Sequence, residues 1–193
     1  MKIFVSIGTP RESWETILRN SEELLDDELR SIDREYLIEI LMSQECMQID
    51  PVASYWEAWD RWKEIGDPSD FVGEHSLRNI QIAYYESMAH KLLVSLGCFP
   101  LIVAGDKTQQ GERIEACAKL SRSSFESLSR IWHEEKKQSQ LKRFHDSHIR
   151  YVDVLLASRE QKDPRPLPPS TLLAFRRMGS KYAAIRIFKQ RHH

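Results

Sequence analysis

Asp50-Pro51-Val52-Ala53-Ser54-Tyr55-Trp56-Glu57-Ala58-Trp59-Asp60-Arg61-Trp62-Lys63-Glu64-Ile65-Gly66-Asp67-Pro68 carries three of the five tryptophans of the chain and reads as one helix with both ends marked. Asp50 is placed to cap the free amides of the first turn, and Pro51 sits where a missing N–H costs nothing. Gly66 followed by Asp67-Pro68 ends the run. At roughly 100° per residue, Val52, Tyr55, Trp56, Trp59 and Trp62 share an arc of about 120°, with Glu57, Asp60, Arg61 and Glu64 opposite. Lys63 falls inside the aromatic arc and marks a wet edge. Core packing is the first expectation for this face, and Trp56, Trp59, Trp62 and Lys63 are the candidate contacts for a docked partner.

The rest of the chain repeats this grammar. Thr9-Pro10-Arg11-Glu12 has capping-box spacing with proline at the first helical position. Trp14, Ile17, Leu18, Leu24, Leu25 and Leu29 then follow a helical period, opposite an acidic run (Glu22, Glu23, Asp26, Asp27, Glu28) expected to be a solvated face. Tyr36, Leu37, Ile40 and Leu41 continue the pattern after Ser31 and Asp33. A longer helix is predicted from about His75 to Leu96, with Gly97 placed to end it. Beyond a polar loop at Gly105–Gly111, Ile114, Ala118, Phe125, Leu128 and Trp132 give a stripe among many serines. Leu141, Phe144, His148, Val152 and Leu155 carry it on, either in the same helix or after a break near Ser139. Two short stretches look extended instead: Lys2-Ile3-Phe4-Val5-Ser6-Ile7 and its prospective partner Leu101-Ile102-Val103-Ala104.

Asp163-Pro164-Arg165-Pro166-Leu167-Pro168-Pro169 fits neither helix nor central strand, and predicts a stiff connector. With Ser170 as its cap, a last helix is predicted from Thr171 to about Arg191. From Pro164 onward there are seven Lys/Arg and no acid. The expected architecture is a mainly α, irregular bundle of about seven helices. It has a helical domain over 1–162, a connector over 163–169 and a basic amphipathic segment over 170–193, with a short N-terminal β element beside them.

Composition narrows the class of function. No apolar run approaches the ~20 residues of a membrane span, and the apolar part of the first residues is too short for a secretory signal. A soluble, cytoplasmic protein without a membrane partner is the expectation. Cys46, Cys98 and Cys117 are odd in number and lack CxxC spacing, so they read as reduced thiols. The net charge of −1 hides an asymmetry. Residues 1–112 hold 10 Lys/Arg against 21 Asp/Glu, whereas residues 113–193 hold 18 against 8. Either the two halves face each other, or the basic half meets nucleic acid or an acidic protein.

On the second view the phosphate contacts would come from Arg122, Arg130, Lys136, Lys137, Lys142, Arg143, Arg150, Arg176, Arg177, Lys181 and Arg191. No zinc finger, RRM or KH pattern accompanies them. The leading expectation is therefore a non-enzymatic accessory or adaptor subunit on nucleic acid or a nucleoprotein assembly. A protein–protein scaffold or self-assembling adaptor is the alternative.

Catalytic signals are sparse. Gly105-x5-Gly111 lacks the GK[ST] ending of a phosphate loop, and no GxSxG elbow or HExxH motif occurs. His145 and His148 are three apart and can share a metal from one helical turn, but no third ligand is evident, and no cofactor is expected. Arg143-Phe144-His145-Asp146-Ser147-His148 resembles the Arg-x(4–6)-His signature of the helical HEPN ribonucleases. That resemblance spans six residues, and Phe144 departs from the polar residue usual after the arginine. It implies that Arg143 and His148 act on an RNA phosphodiester across a dimer interface, with the imidazole as acid and base. For His148 alone, the apolar stripe predicts a hydrogen-bonded place at the edge of the core.

Overall fold

The computed structural model describes residues 9–45, 74–105 and 110–191. The tryptophan stretch with Trp56, Trp59, Trp62 and Lys63, the extended N-terminal stretch, Cys46 and the loop residues 106–109 lie outside them. Among the described residues there are nine helices and no strand. They are α1 (Pro10–Leu25), α2 (Ser31–Glu45), α3 (Glu74–Cys98), α4 (Pro100–Ala104), α5 (Gln110–Ile131), α6 (Glu135–Asp146), α7 (His148–Lys162), α8 (Pro169–Arg177) and α9 (Lys181–Arg191). None of them is long and apolar enough to cross a membrane.

Local chemistry starts and stops these helices. The Thr9–Glu12 capping box forms in both directions. The Glu12 amide donates to Thr9 Oγ1, and the Thr9 amide donates to Glu12 Oε2 at 2.8 Å. The Thr9 amide, together with the Thr9 hydroxyl that donates to the same oxygen, holds the Glu12 carboxyl below its ordinary range. Asp26 closes α1 in the left-handed conformation at φ 47°, which a short polar side chain tolerates better than most.

Three expectations change here. Leu101–Ala104 is helical, because Pro100 opens a short turn and the amides of Ile102 and Val103 both donate to the Phe99 carbonyl. The last helix is two helices. Met178-Gly179-Ser180 breaks it, with Gly179 at φ 89° and Ser180 Oγ accepting from the Ala183 amide at 3.0 Å. Glycine then serine is the stop-and-restart chemistry of a helix end followed by an N-cap. Ser170 is not the cap of α8; its hydroxyl donates to Gln110 Oε1 at 2.7 Å, and the helix opens on Pro169 after Pro168.

Helix α7 is the centre of the bundle. Every residue from Tyr151 to Arg159 is buried, the pattern of a helix surrounded on all sides. It packs against α1, α3, α6 and α9, while α5 packs against α3, α6 and α8. Phe144 stacks on Tyr151 with centroids 3.8 Å apart, and Phe125 leans on both Phe144 and His148. Leu172, Phe175, Tyr182 and Ala183, beyond the proline connector, belong to the same continuous core. The connector itself, residues 163–168, has no regular structure. Leu167 is buried within it.

Gly97 does not end α3, which continues to Cys98. Its function is the crossing with α7, where a Cβ at position 97 would overlap the Cβ of Leu155. Gly97→Ala is expected to force the two helices apart and lower stability by about 1–3 kcal/mol, despite alanine's better helix propensity. Urea denaturation reads this as a lower midpoint; an unchanged or raised midpoint would contradict the close crossing.

Candidate functional site

The charges of the two halves meet inside one chain. The Arg143 guanidinium grips Asp33, with Nε at 3.1 and 3.2 Å from the carboxylate oxygens and NH2 at 2.8 Å from Oδ1. Tyr151 donates to the same carboxylate at 3.2 Å. Arg150 forks onto Asp27 at 2.6 to 3.0 Å and donates to the Glu28 carbonyl. Both guanidiniums are held above their ordinary pKa, chiefly by those carboxylate hydrogen bonds. Lys181 donates to the Asp26 carbonyl at 2.9 Å, and Arg177 pairs with Glu115 at 2.9 Å. Three of the predicted phosphate contacts, Arg143, Arg150 and Lys181, therefore close the α1–α2 corner.

The acidic run is accordingly no uniform solvated face. Glu22 is only 5% exposed and carries a buried ion pair with Arg34. Asp27 is tied to Arg150. Only Glu23, Asp26 and Glu28 keep the expected exposure.

The other predicted cations divide in two. Lys137 Nζ lies 3.7 Å from the Tyr36 ring centroid, and burial lowers its pKa. Such an amine is a packing contact rather than a phosphate clamp. Arg122, Arg130, Lys136 and Lys142 are exposed on α5 and α6, with Arg130 paired to Glu126 one turn away. Arg176 is exposed on α8. The Arg191 side chain lies outside the description.

Arg143 and His148 straddle the α6–α7 break and face different helices. Arg143 turns to Asp33 on α2, and His148 turns to Ser121 on α5, its Nε2 at 2.8 Å from the hydroxyl. Phe144, the residue that departs from the ribonuclease signature, is fully buried and stacked. It anchors this turn in the core. Ser121 gives its one proton to the Ala89 carbonyl at 3.0 Å. Nε2 of His148 must therefore donate, which leaves the lone pair on Nδ1. Burial drives the His148 pKa down to about 3, so the ring is neutral at physiological pH. It is a hydrogen-bonded residue at the edge of the core, as its stripe position predicts. His145 meets the Arg122 carbonyl through Nδ1 at 3.1 Å. Among the described residues no group of three or more His, Cys, Asp or Glu could hold a metal.

One cleft gathers several of these groups. It measures about 390 Å³ and lies between α5, the α6–α7 junction and the end of α8. Lys119, Arg122 and Arg177 line it with Glu115 and Asp146, over an apolar floor of Ala118, Ile149 and Met178, and His148 reaches it from below. Arg177 cancels Glu115. Arg122 donates its Nε to the His145 carbonyl at 3.2 Å. Neither Lys119 nor Arg122 has a carboxylate partner among the described residues.

Sequence reasoning picked out Arg122, Arg177 and His148 but missed Lys119 and Met178. Lys119 was legible as the residue one turn before Arg122 on the same face. Nothing local connects α5 with the end of α8. Compared with known proteins, the chain matches no family model, no curated protein and no solved structure.

Proposed function

We propose that the chain is a non-enzymatic adaptor that works through protein–protein contact. The carrying observation is where the cations go: Arg143, Arg150 and Lys181 are committed to the acidic corner of the chain itself. A polyanion would have to break those bonds to recruit them. Acid–base chemistry finds little support, because His148 is neutral and buried while Arg143 points elsewhere. A surface for contact lies on α4 and the residue before it, where Phe99, Leu101 and Ile102 are each more than a third exposed.

The second reading, an accessory subunit on nucleic acid or a nucleoprotein assembly, draws on the exposed Arg122, Arg130, Lys136 and Lys142 of α5 and α6. A gel shift with single-stranded RNA and duplex DNA at about 50 mM salt separates the two, since phosphate contacts are strongest there. The expected result is no retardation of either. Retardation that fades steeply with salt and is lost on Lys136→Glu with Lys142→Glu would replace the adaptor reading with the nucleic-acid one.

A further inference from the structure

We propose that the cleft between α5, the α6–α7 junction and α8 takes a short acidic peptide segment of the partner protein, with Lys119 and Arg122 on a carboxylate and His148 accepting a peptide N–H. The inference rests on the adaptor reading and deepens it. Its ground is the pairing of opposite demands in one cleft.

Lys119 and Arg122 stand one helical turn apart on α5, both exposed, and call for an anion. His148, 4% exposed, calls for a proton donor. Its Nε2 is spent as a donor to Ser121, whose own proton goes to Ala89. Its Nδ1 has no partner among the described residues. His148 lines the cleft, and Nδ1 is the ring nitrogen left with a lone pair to offer there.

A phosphodiester backbone without hydroxyls has anions but no donor, and its oxygens would face that lone pair unfavourably. A peptide supplies a side-chain carboxylate, a backbone N–H a few ångströms away, and apolar groups for Ala118, Ile149 and Met178. The volume falls within the usual range for small-ligand sites. Asp146, exposed at the rim, disfavours a second carboxylate on that side, so the segment is expected to place its acid toward α5.

The probes are acetyl-Glu-Leu-Glu-Leu-amide, its glutamine counterpart and oligouridylate, titrated into the full chain by calorimetry. The ¹⁵N resonance of the His148 ring is followed in parallel. The acidic peptide is expected to saturate, and the glutamine peptide to bind at least about tenfold more weakly, as loss of charge-assisted bonds implies. Lys119→Glu with Arg122→Glu is expected to cost at least about as much, and Lys119→Ala less. Lys142→Glu, outside the cleft, is expected to leave binding unchanged. The Nδ1 resonance is expected to move with the acidic peptide and not with acetate.

Equal affinity for the two peptides, no saturation, or indifference to the double variant would overturn the assignment while leaving the adaptor reading to the gel shift. Oligouridylate binding lost in the double variant would overturn both, since the 2′-hydroxyl would then be the donor.

Discussion

Arg34→Ala is expected to remove about 3–5 kcal/mol of folding stability, the cost of leaving one member of a buried ion pair alone. Arg34 and Glu22 are 6% and 5% exposed. Nε and NH2 of Arg34 donate to the two oxygens of Glu22 at 2.8 and 2.6 Å, and NH2 also reaches the Leu29 carbonyl at 3.3 Å. The Leu29 amide donates back to Glu22 Oε2. The guanidinium thus knits the end of α1, the α1–α2 corner and α2 into one unit. Truncation leaves a dry carboxylate with one weak amide contact. Urea denaturation of Arg34→Ala beside Glu22→Gln with Arg34→Met separates charge burial from packing. The double replacement is expected to recover most of the loss, because a buried pair is worth little against a well-packed apolar substitute. A single-variant loss below about 1 kcal/mol would mean that water reaches Glu22 and that the pair behaves as a surface bridge.

The second large effect is on pH dependence. Asp153 of α7 is 4% exposed and caps α9: Ser180 Oγ donates to its Oδ1, and the Lys181 amide donates to Oδ2 at 2.7 Å. Burial pushes its pKa up to about 6, although the hydrogen bonds from Ser180 and from the Lys181 and Tyr182 amides pull the other way, and Asp27 adds a small upward push. An acid whose folded pKa is raised binds its proton more tightly folded than unfolded. Stability on its account therefore rises as pH falls from about 6 to about 4, by about 3 kcal/mol for two units. Other carboxylates oppose this. Asp163, hydrogen-bonded to Arg165, has its pKa lowered and favours the fold at higher pH.

The difference between the wild type and Asp153→Asn isolates the one group. Its stability advantage over the variant is expected to widen between pH 7 and pH 4, because asparagine cannot take up the proton. Parallel stability curves would show that Asp153 titrates in its ordinary range and that the α9 cap is solvated.

Which helices form was largely legible, because the signals act within one or two turns. The Thr9–Glu12 box and the stripes through Leu18, Tyr36, Ile114, Phe125 and Phe175 need only neighbours to be recognised. The break at Gly179-Ser180 was equally local, but the apolar arc from Ala174 to Ile185 bridges it and masks it. Leu101–Ala104 misled for the opposite reason: four β-branched or aliphatic residues after a proline suit either state, and their placement against α3 and α5 made the choice. The candidate site was half legible. Its side chains were visible as types, but their partners were not.

Sequence by itself determined that the described residues are mainly helical, where α1, α2 and α3 begin, and that the charge of the chain is divided between two halves. It also placed His148 on a buried stripe and Phe144 beside it. Only the tertiary structure decided that the halves satisfy each other, that Gly97 serves a helix crossing, and that Lys119, Arg122 and His148 share a cleft. Helix chemistry is written in residues three or four apart, whose geometry the backbone imposes. The pairs Arg143–Asp33 and Arg150–Asp27 join positions 110 and 123 residues apart, and they exist only once the bundle has closed around α7.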